Sequence, residues 1–560
     1  MKIEIIDDKD AEYAKKSLNE YYKNDLIPAE KKTYLTNLKS SIGPYMGIEG
    51  ANKKTKYLQD AASQIATLGL GFNPTAFFGV SRHIESWLSN ESSNINRIKK
   101  SYDNFLNRQL HWPKLFSTIC HSGSEANEIA LGYCYQNRLH KDSNKVLAFE
   151  GSFHGRMMVA LSSTWNKSKR EPFEWSEYKT QYVKYPETKS DQIHRQMPAN
   201  WKIYWENNLV CNDIQMTDWL NEVKDYEDLN LEIETLNEVS KKLKTNSIFA
   251  IIIEPMQCEG GDRYSTDRFH TALNLLAKSY KVPIIYDEVQ TGFHLGKKFF
   301  WSSDFNLTDS KNRPIYPAHI TCAKKAQTGI VLSHENFLHK NEMIEEYSKV
   351  SMIRGYYHAL SLGQVEKQIS TIEELTNKHL KKLVNKYSKH IHSPRVRGIS
   401  FAIDLFEEDK ISEIISKRFD YGLLYYPAGS HTLRFRTNTS YTENDLVYLF
   451  DSLDDIFSQI FFNQKLDFIP KIEKSNSGPN LNYSWHNLYN EIHLKLIQQL
   501  ELDINHYKDK VKKLLDLNNE EKFVIIDKKN FHLFKDKIIE LEKNKIENIM
   551  AISSTFVFRL

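Results

Sequence analysis

Residues 249–293 read FAIIIEPMQCEGGDRYSTDRFHTALNLLAKSYKVPIIYDEVQTGF. Two apolar runs, AIII and VPIIY, each end abruptly in acid: Glu254 after the first, Asp287-Glu288 after the second. Between them Phe269, Leu273, Leu276 and Ala277 recur at helical spacing. That order predicts a strand–helix–strand unit of a buried parallel sheet. It delivers carboxylates at the C-terminal ends of strands, where open α/β sheets place their sites. A buried carboxylate without a partner is costly, so the pattern asks for a cation at the same edge.

The alternation continues on both sides. From about Trp112 to Val331 the β-like runs KLFSTIC, KVLAFEG, FAIIIEP, VPIIYDEV and HITCA are separated by helical segments. This is the doubly wound α/β pattern, with a mostly parallel sheet. Residues 336–462 read as a smaller α+β unit: a long helix near Val365–Val384, strands at ISFAIDLF and TLRFRTN, and a closing helix at 442–460. Upstream, residues 1–40 read as polar amphipathic helices, followed by turns, a short strand and a Gly-rich stretch that must pass close to something. The polar segment 187–245 reads as a surface insertion, and Gly478-Pro479 among Ser and Asn as a linker. Beyond it the Lys- and Glu-rich tail has apolar residues at helical spacing. The expected division is an N-terminal segment 1–75 that contributes to the small domain, a large domain 76–335, a small domain 336–462 and a helical appendage 463–560.

Composition excludes several classes. Of 560 residues, 40% are hydrophobic and 26% charged, ordinary for a globular chain. A net charge of +3, from 75 basic and 72 acidic residues, gives no footprint for nucleic acid. The 5 cysteines are scattered without a CxxC pair, which argues for reduced thiols and against a zinc module. The first residues, MKIEIIDDKD, lack an apolar signal core, and no run is long enough to span a membrane. A cytoplasmic chain is the expectation.

The chemistry sits in islands at strand ends. Cys120-His121-Ser122-Gly123-Ser124-Glu125-Ala126-Asn127 opens a helix with small residues, a form that suits a phosphate. By itself such an opening is as often a plain helix cap. Glu150-Gly151-Ser152-Phe153-His154-Gly155-Arg156 carries a ring, an imidazole and an arginine between glycines, where an ordinary turn is the competing reading. Thr321-Cys322-Ala323-Lys324-Lys325-Ala326-Gln327-Thr328-Gly329 puts a lysine doublet at the end of an apolar strand. Phosphate cradle, stacking aromatic, strand-end aspartate and buried lysine match the needs of pyridoxal 5′-phosphate.

At these residues the chain resembles the class III pyridoxal-phosphate aminotransferases of fold type I, and within them 4-aminobutyrate and lysine 6-aminotransferases. The likeness covers about residues 40–460, with GSFHGR, EPMQCEGGD, DEVQTG and the spaced AKK…TG in family order. It implies that Lys324, rather than Lys325, is the Schiff-base lysine, and that Asp287 pairs with the pyridinium nitrogen. Val289 is implied to pack on the ring face opposite Phe153, with Gln290 reaching the phenolic oxygen and Gly123 and Ser124 holding the phosphate. His154 and Glu254 join the cofactor-binding set by the same likeness, and Ile65 the substrate-binding set. Glu259 is similar to the family's switch glutamate, with Arg434 as its partner, and Arg156 takes the place of the arginine that binds the donor's distal carboxylate. The implied reaction moves an amino group from an ω-amino acid or L-lysine-like donor to 2-oxoglutarate in a homodimer, with no metal.

The chain also departs from the family. Arg354 stands where a threonine of the partner subunit binds the cofactor phosphate, which implies either a charged replacement or a remodelled site. Cys120 matches a cluster-ligand cysteine, but the second ligand position is Gly123, which argues against an iron–sulfur cluster. A racemase, aminomutase or decarboxylase on the same scaffold stays open, as does a non-catalytic interaction protein. A nucleotidase would need a GxxxxGK[ST] loop, and the sequence has none.

Overall fold

The computed structural model describes residues 8–22, 34–38, 41, 43–53, 55–72, 92–173, 179–188, 190–209, 213–336 and 349–464, with short strands between 523 and 559. Among these residues the strands, in chain order, begin with an N-terminal group: β1 (Leu35–Thr36), β2 (Tyr45–Glu49) and β3 (Thr55–Asp60). The large sheet draws on β4 (Phe116–Cys120), β5 (Lys145–Phe149), β6 (Lys179–Val183) and β7 (Ile248–Ile253). After a small hairpin of β8 (Met256–Gln257) and β9 (Arg263–Tyr264) it adds β10 (Ile284–Asp287), β11 (His319–Cys322) and β12 (Gly329–Ser333). This sheet is 7-stranded in the order β4-β12-β11-β10-β7-β5-β6. β7 and β10 pair in parallel with the Asp267–Ser279 helix between them, as the opening stretch predicts.

Period-2 alternation explains why both faces of this sheet are covered. Val146, Ala148, Ile252 and Ile285 face the Gly123–Gln136 helix in one core, while Leu147, Phe149, Ile251, Ile253 and Tyr286 face the other, where Phe269, Leu273, Leu276 and Ala277 pack. Each fully buried aliphatic or aromatic side chain there contributes roughly 1.5–3 kcal/mol relative to exposure. Thr266 caps the Asp267–Ser279 helix by accepting from Phe269 N at 3.1 Å.

Two strands depart from the predicted alternation. β12 runs antiparallel between β11 and β4. β6, KTQYV, is an edge strand whose residues are mostly half-exposed, so it lacks the continuous apolar run of an inner strand. The polar segment 187–245 is also more than a surface insertion. Its helices Trp201–Glu206, Asp213–Glu222 and Tyr226–Leu243 bury Trp201, Trp205 and Trp219 in the main core. The Trp201 and Trp219 ring centroids are 4.8 Å apart. Large aromatics spaced along a polar background outweigh its average polarity.

The smaller unit is an antiparallel sheet, β13 (Ile391–Arg397), β14 (Ser400–Leu405), β17 (Thr432–Arg436) and β16 (Tyr426–Ala428), backed by helices Glu366–Lys386 and Glu443–Phe462. Thr442 and Asp445 form a reciprocal capping box at the last helix. β3 pairs with β15 (Leu423–Leu424), so the N-terminal strands and the C-terminal unit share one sheet. Of the expected N-terminal helices, Asp8–Tyr22 is one, whereas Leu35–Thr36 is a strand.

The tail is corrected where it is described. β18 (Phe523–Asp527), β19 (Met550–Ile552) and β20 (Thr555–Arg559) form an antiparallel sheet rather than helices. FVIID and TFVFR are rich in β-branched and aromatic residues, a composition that favours strands over the helical spacing read across the wider window. The expected linker and the rest of the appendage lie outside the described residues. No described helix is long and apolar enough to cross a membrane.

Candidate active site

Strand ends β4, β5, β7, β10 and β11 converge on one cavity of about 950 Å³. Its wall includes nearly every residue singled out from the sequence: Ile65, Gly123, Ser124, Phe153, His154, Arg156, Glu254, Glu259, Asp287, Val289, Gln290, Lys324 and Arg434. Arg354 is the exception. It lies exposed on the Lys349–Leu362 helix, donating from Nη2 to Gln327 O at 2.8 Å, and does not line the cavity of its own protomer.

The acids are held by hydrogen bonds. Asp287 Oδ1 accepts from Val289 N at 3.0 Å, and Oδ2 accepts from Asn127 Nδ2 at 2.7 Å. His154 Nδ1 lies 2.8 Å from the same Oδ2, so it carries the proton, since an ionised carboxylate only accepts. Asn127 is itself fixed by Thr321, whose hydroxyl donates to Asn127 Oδ1 at 2.6 Å. Glu254 accepts from Phe153 N at 2.9 Å and Cys258 N at 3.2 Å. Burial, and then the nearby Asp287 charge, push the Glu254 carboxyl well above the usual range. Among the described residues no lysine or arginine lies within ion-pair distance of either acid.

Lys324 lines the same cavity as these acids. It follows β11 in a left-handed conformation, φ +52°, and its Nζ donates to Ile65 O at 3.0 Å. Burial, with Arg434 and Arg436 nearby, brings its amine down to about 8. Lys325 points away into the protein, 1% exposed, with Nζ donating to Gln290 O and Ala66 O. Both lysines therefore reach one turn, Ser63–Ala66, whose residues all have φ between +45° and +60°. A left-handed turn of non-glycine residues costs about 1–2 kcal/mol per residue. Asp60 supports it by accepting from Ala62 N and Gln64 N, each at 2.9 Å.

The lowered Lys324 amine gives a testable pH dependence. A lysine whose value falls is charged below it and a free amine above it. In the cofactor-free chain, peptide-resolved acetylation of Lys324 is expected to rise through pH about 8, well below the ordinary 10.5. A midpoint at the ordinary value would contradict the site's electrostatics.

The donor set fits pyridoxal 5′-phosphate. A Cβ at Gly123 would lie 2.5 Å from Val289 Cγ1, and one at Gly155 2.4 Å from Ser124 Oγ, so both glycines allow close packing at a helix N-terminus of the kind that suits a phosphate. Two cation-free buried acids suit a pyridinium nitrogen. Gln290 Oε1 accepts from Arg436 Nε at 3.0 Å. Arginine only donates, which leaves the Gln290 NH2 for a phenolic oxygen.

One expected pair is absent. Glu259 is bonded to Lys169, not to Arg434. Arg434 instead donates to Cys258 O at 3.1 Å, and burial, with Arg436 adding, lowers its guanidinium. In this state Glu259 and Arg434 are not paired, and the switch stays an expectation. Lys169 escaped notice because WNKSKR carries no periodicity or motif. Asn127 was legible in principle: it sits one helical turn after Gly123, on the same face.

The chain is similar to a set of known proteins. The family described as aminotransferase class-III matches residues 26–457. The mitochondrial acetylornithine aminotransferase of Saccharomyces cerevisiae is 26% identical over 330 residues, which span 57% of this chain and 66% of that protein, just under two thirds. The 4-aminobutyrate aminotransferase of Emericella nidulans is 23% identical over 490 residues, 78% of this chain and 88% of that one. Among solved structures, a lysine aminotransferase from M. tuberculosis superposes with a TM-score of 0.63 at 19% identity, covering 80% of this chain and 100% of that one.

Proposed function

Because this chain belongs to the class-III aminotransferases, a pyridoxal-phosphate-dependent family of fold type I, we propose that it moves an amino group from an ω-amino acid or L-lysine-like donor to 2-oxoglutarate. The observation that carries the reading is that Lys324 and Asp287 line one cavity together with Phe153 and Val289. When bound there, the cofactor supplies an electron-accepting ring next to the substrate's reacting carbon.

The chain's own residues do the rest. Asp287, fixed by Asn127, His154 and Val289 N, presents its carboxyl group to the cavity. Lys324, as a free amine, takes a proton from the reacting carbon and returns it to a neighbouring atom, with an affinity near 8 that suits two-way transfer. Phe153 and Val289 hold a flat ligand between them. Arg156, exposed at the rim with no hydrogen bond from its guanidinium among the described residues, is free to grip a donor carboxylate. Arg434 is free to grip the carboxylate of the 2-oxo acid bidentately.

The test is to supply single amines with 2-oxoglutarate and measure glutamate formation. We expect 4-aminobutyrate or L-lysine to serve, and Arg156→Ala to raise the donor KM by about 10- to 100-fold, the worth of a hydrogen-bonded charge. A donor KM unchanged by Arg156→Ala would remove that residue from the assignment. Racemisation or decarboxylation of the donor without glutamate would overturn transamination itself. Homodimerisation, a cytoplasmic location and a role for Arg354 toward a neighbouring subunit's phosphate remain part of the same proposal.

A further inference from the structure

Lys169, on the short Lys167–Arg170 helix, does two things at the cavity mouth. Its Nζ is ion-paired with Glu259, and it lies 5.0 Å above the Phe153 ring. Both members of the pair are partly exposed, 28% each, so the bond is positioned to open and close. Arg434 feels the Glu259 charge but does not touch it. The other nearby acid is spent: Asp262 grips Arg436 through both oxygens at 2.6 Å. Arg434 therefore stands in the wall as a half-buried cation with one backbone carbonyl as partner and no acid in ion-pair contact among the described residues.

We propose that Lys169 is a specificity-determining residue, which competes with Arg434 for Glu259 and so keeps Arg434 open to a substrate carboxylate. Resting on the aminotransferase reading, this names a substrate class: dicarboxylic 2-oxo acids, and amino donors that carry a carboxylate on the Arg434 side. With Glu259 tied to Arg434 instead, such ligands would first have to break an ion pair. With Glu259 tied to Lys169, they do not. Phe153 below Lys169 favours the ammonium staying in place, since a ring face attracts a cation.

The competition can be read without turnover. Glutarate, an unreactive dicarboxylate of the same chain length as 2-oxoglutarate, is titrated calorimetrically into the full-length protein without cofactor. Lys169→Met is expected to weaken glutarate about tenfold, because Glu259 then turns to Arg434, and Lys169→Arg to leave it near wild type. The double variant Lys169→Met/Glu259→Gln is expected to return to wild-type affinity. With cofactor, the KM for 2-oxoglutarate should follow the same order in wild type, Lys169→Met and Lys169→Arg. A double variant as weak as Lys169→Met would mean that Lys169 touches the ligand directly, and would overturn the competition. Lys169→Met binding like wild type would overturn it as well. If glutarate binding follows the predicted order yet no amine yields glutamate, the carboxylate gate stands and the aminotransferase reading fails.

Discussion

Lys324→Ala yields a folded protein that no longer holds pyridoxal phosphate covalently and whose transamination falls by about 10⁴-fold, the upper range for a positioned acid–base group. The fold is expected to survive for a local reason. The Lys324 Nζ makes one hydrogen bond, to Ile65 O, and burial already opposes its charge, so its removal spares the chain an unfavourable ammonium. The left-handed backbone at φ +52° is no harder for alanine than for lysine. Borohydride reduction followed by peptide mass spectrometry reads the attachment directly. In the wild type the label should sit on Lys324. Lys325 is the natural control, because burial lowers its amine further, to about 7, although it faces Gln290 O and Ala66 O instead of the cavity. A Lys324→Ala protein that still fixes cofactor through Lys325 would show that geometry had been read in the wrong direction.

That contrast between adjacent lysines shows what sequence can carry. The parallel core and its acidic strand ends were legible because burial on both faces forces continuous apolar runs, and a carboxylate that interrupts such a run at its end has few structural uses. Glu254 and Asp287 fit that rule; Glu288 fits it only formally, since it faces away and caps Trp301 N and Ser302 N in the core. Choice between Lys324 and Lys325 came from family likeness; the backbone turn at Ala323–Lys324 sends the two side chains in different directions. Pairing was harder. Glu259 and Lys169 are 90 residues apart, and nothing local distinguishes Lys169 from Lys167. The left-handed Ser63–Ala66 turn was invisible because its residues are not glycines; its conformation follows from Asp60 and the lysines that meet its carbonyls. Edge strand β6 escaped because polar alternation on a half-exposed surface resembles loop to any reading by average composition, and the tail strands because helical spacing was read across a window much wider than FVIID or TFVFR.

Asp287→Asn is expected to lower kcat by about 10²- to 10³-fold, comparable to removing one preorganised charge or dipole from an active site, and to weaken cofactor binding in parallel. The substitution keeps shape and much of the bonding. Asparagine can still accept from Val289 N or from Asn127 Nδ2, and His154 can shift its proton to meet the new amide, so misfolding is not the cause. What disappears is the carboxylate that we propose faces the cofactor's ring nitrogen. Glu254 cannot replace it, since burial, the larger cause of its raised value, persists in the variant and favours the neutral form. Its coupling to Asp287 gives a second readout in the cofactor-free protein. A carboxyl whose folded value is raised binds more protons when folded, so its contribution to stability is present at low pH and is lost as pH rises from the unfolded value of 4.5 toward the folded one. Removing the Asp287 charge lowers the folded value of Glu254, so chemical denaturation of Asp287→Asn should show a smaller loss of stability over that rise in pH than wild type. Asn127→Ala, which only loosens Asp287, should cost less activity than Asp287→Asn and leave the pH profile closer to wild type. Retention of kcat within about threefold in Asp287→Asn, less than the roughly tenfold that 1.4 kcal/mol represents, would mean that this aspartate does not face the reacting group.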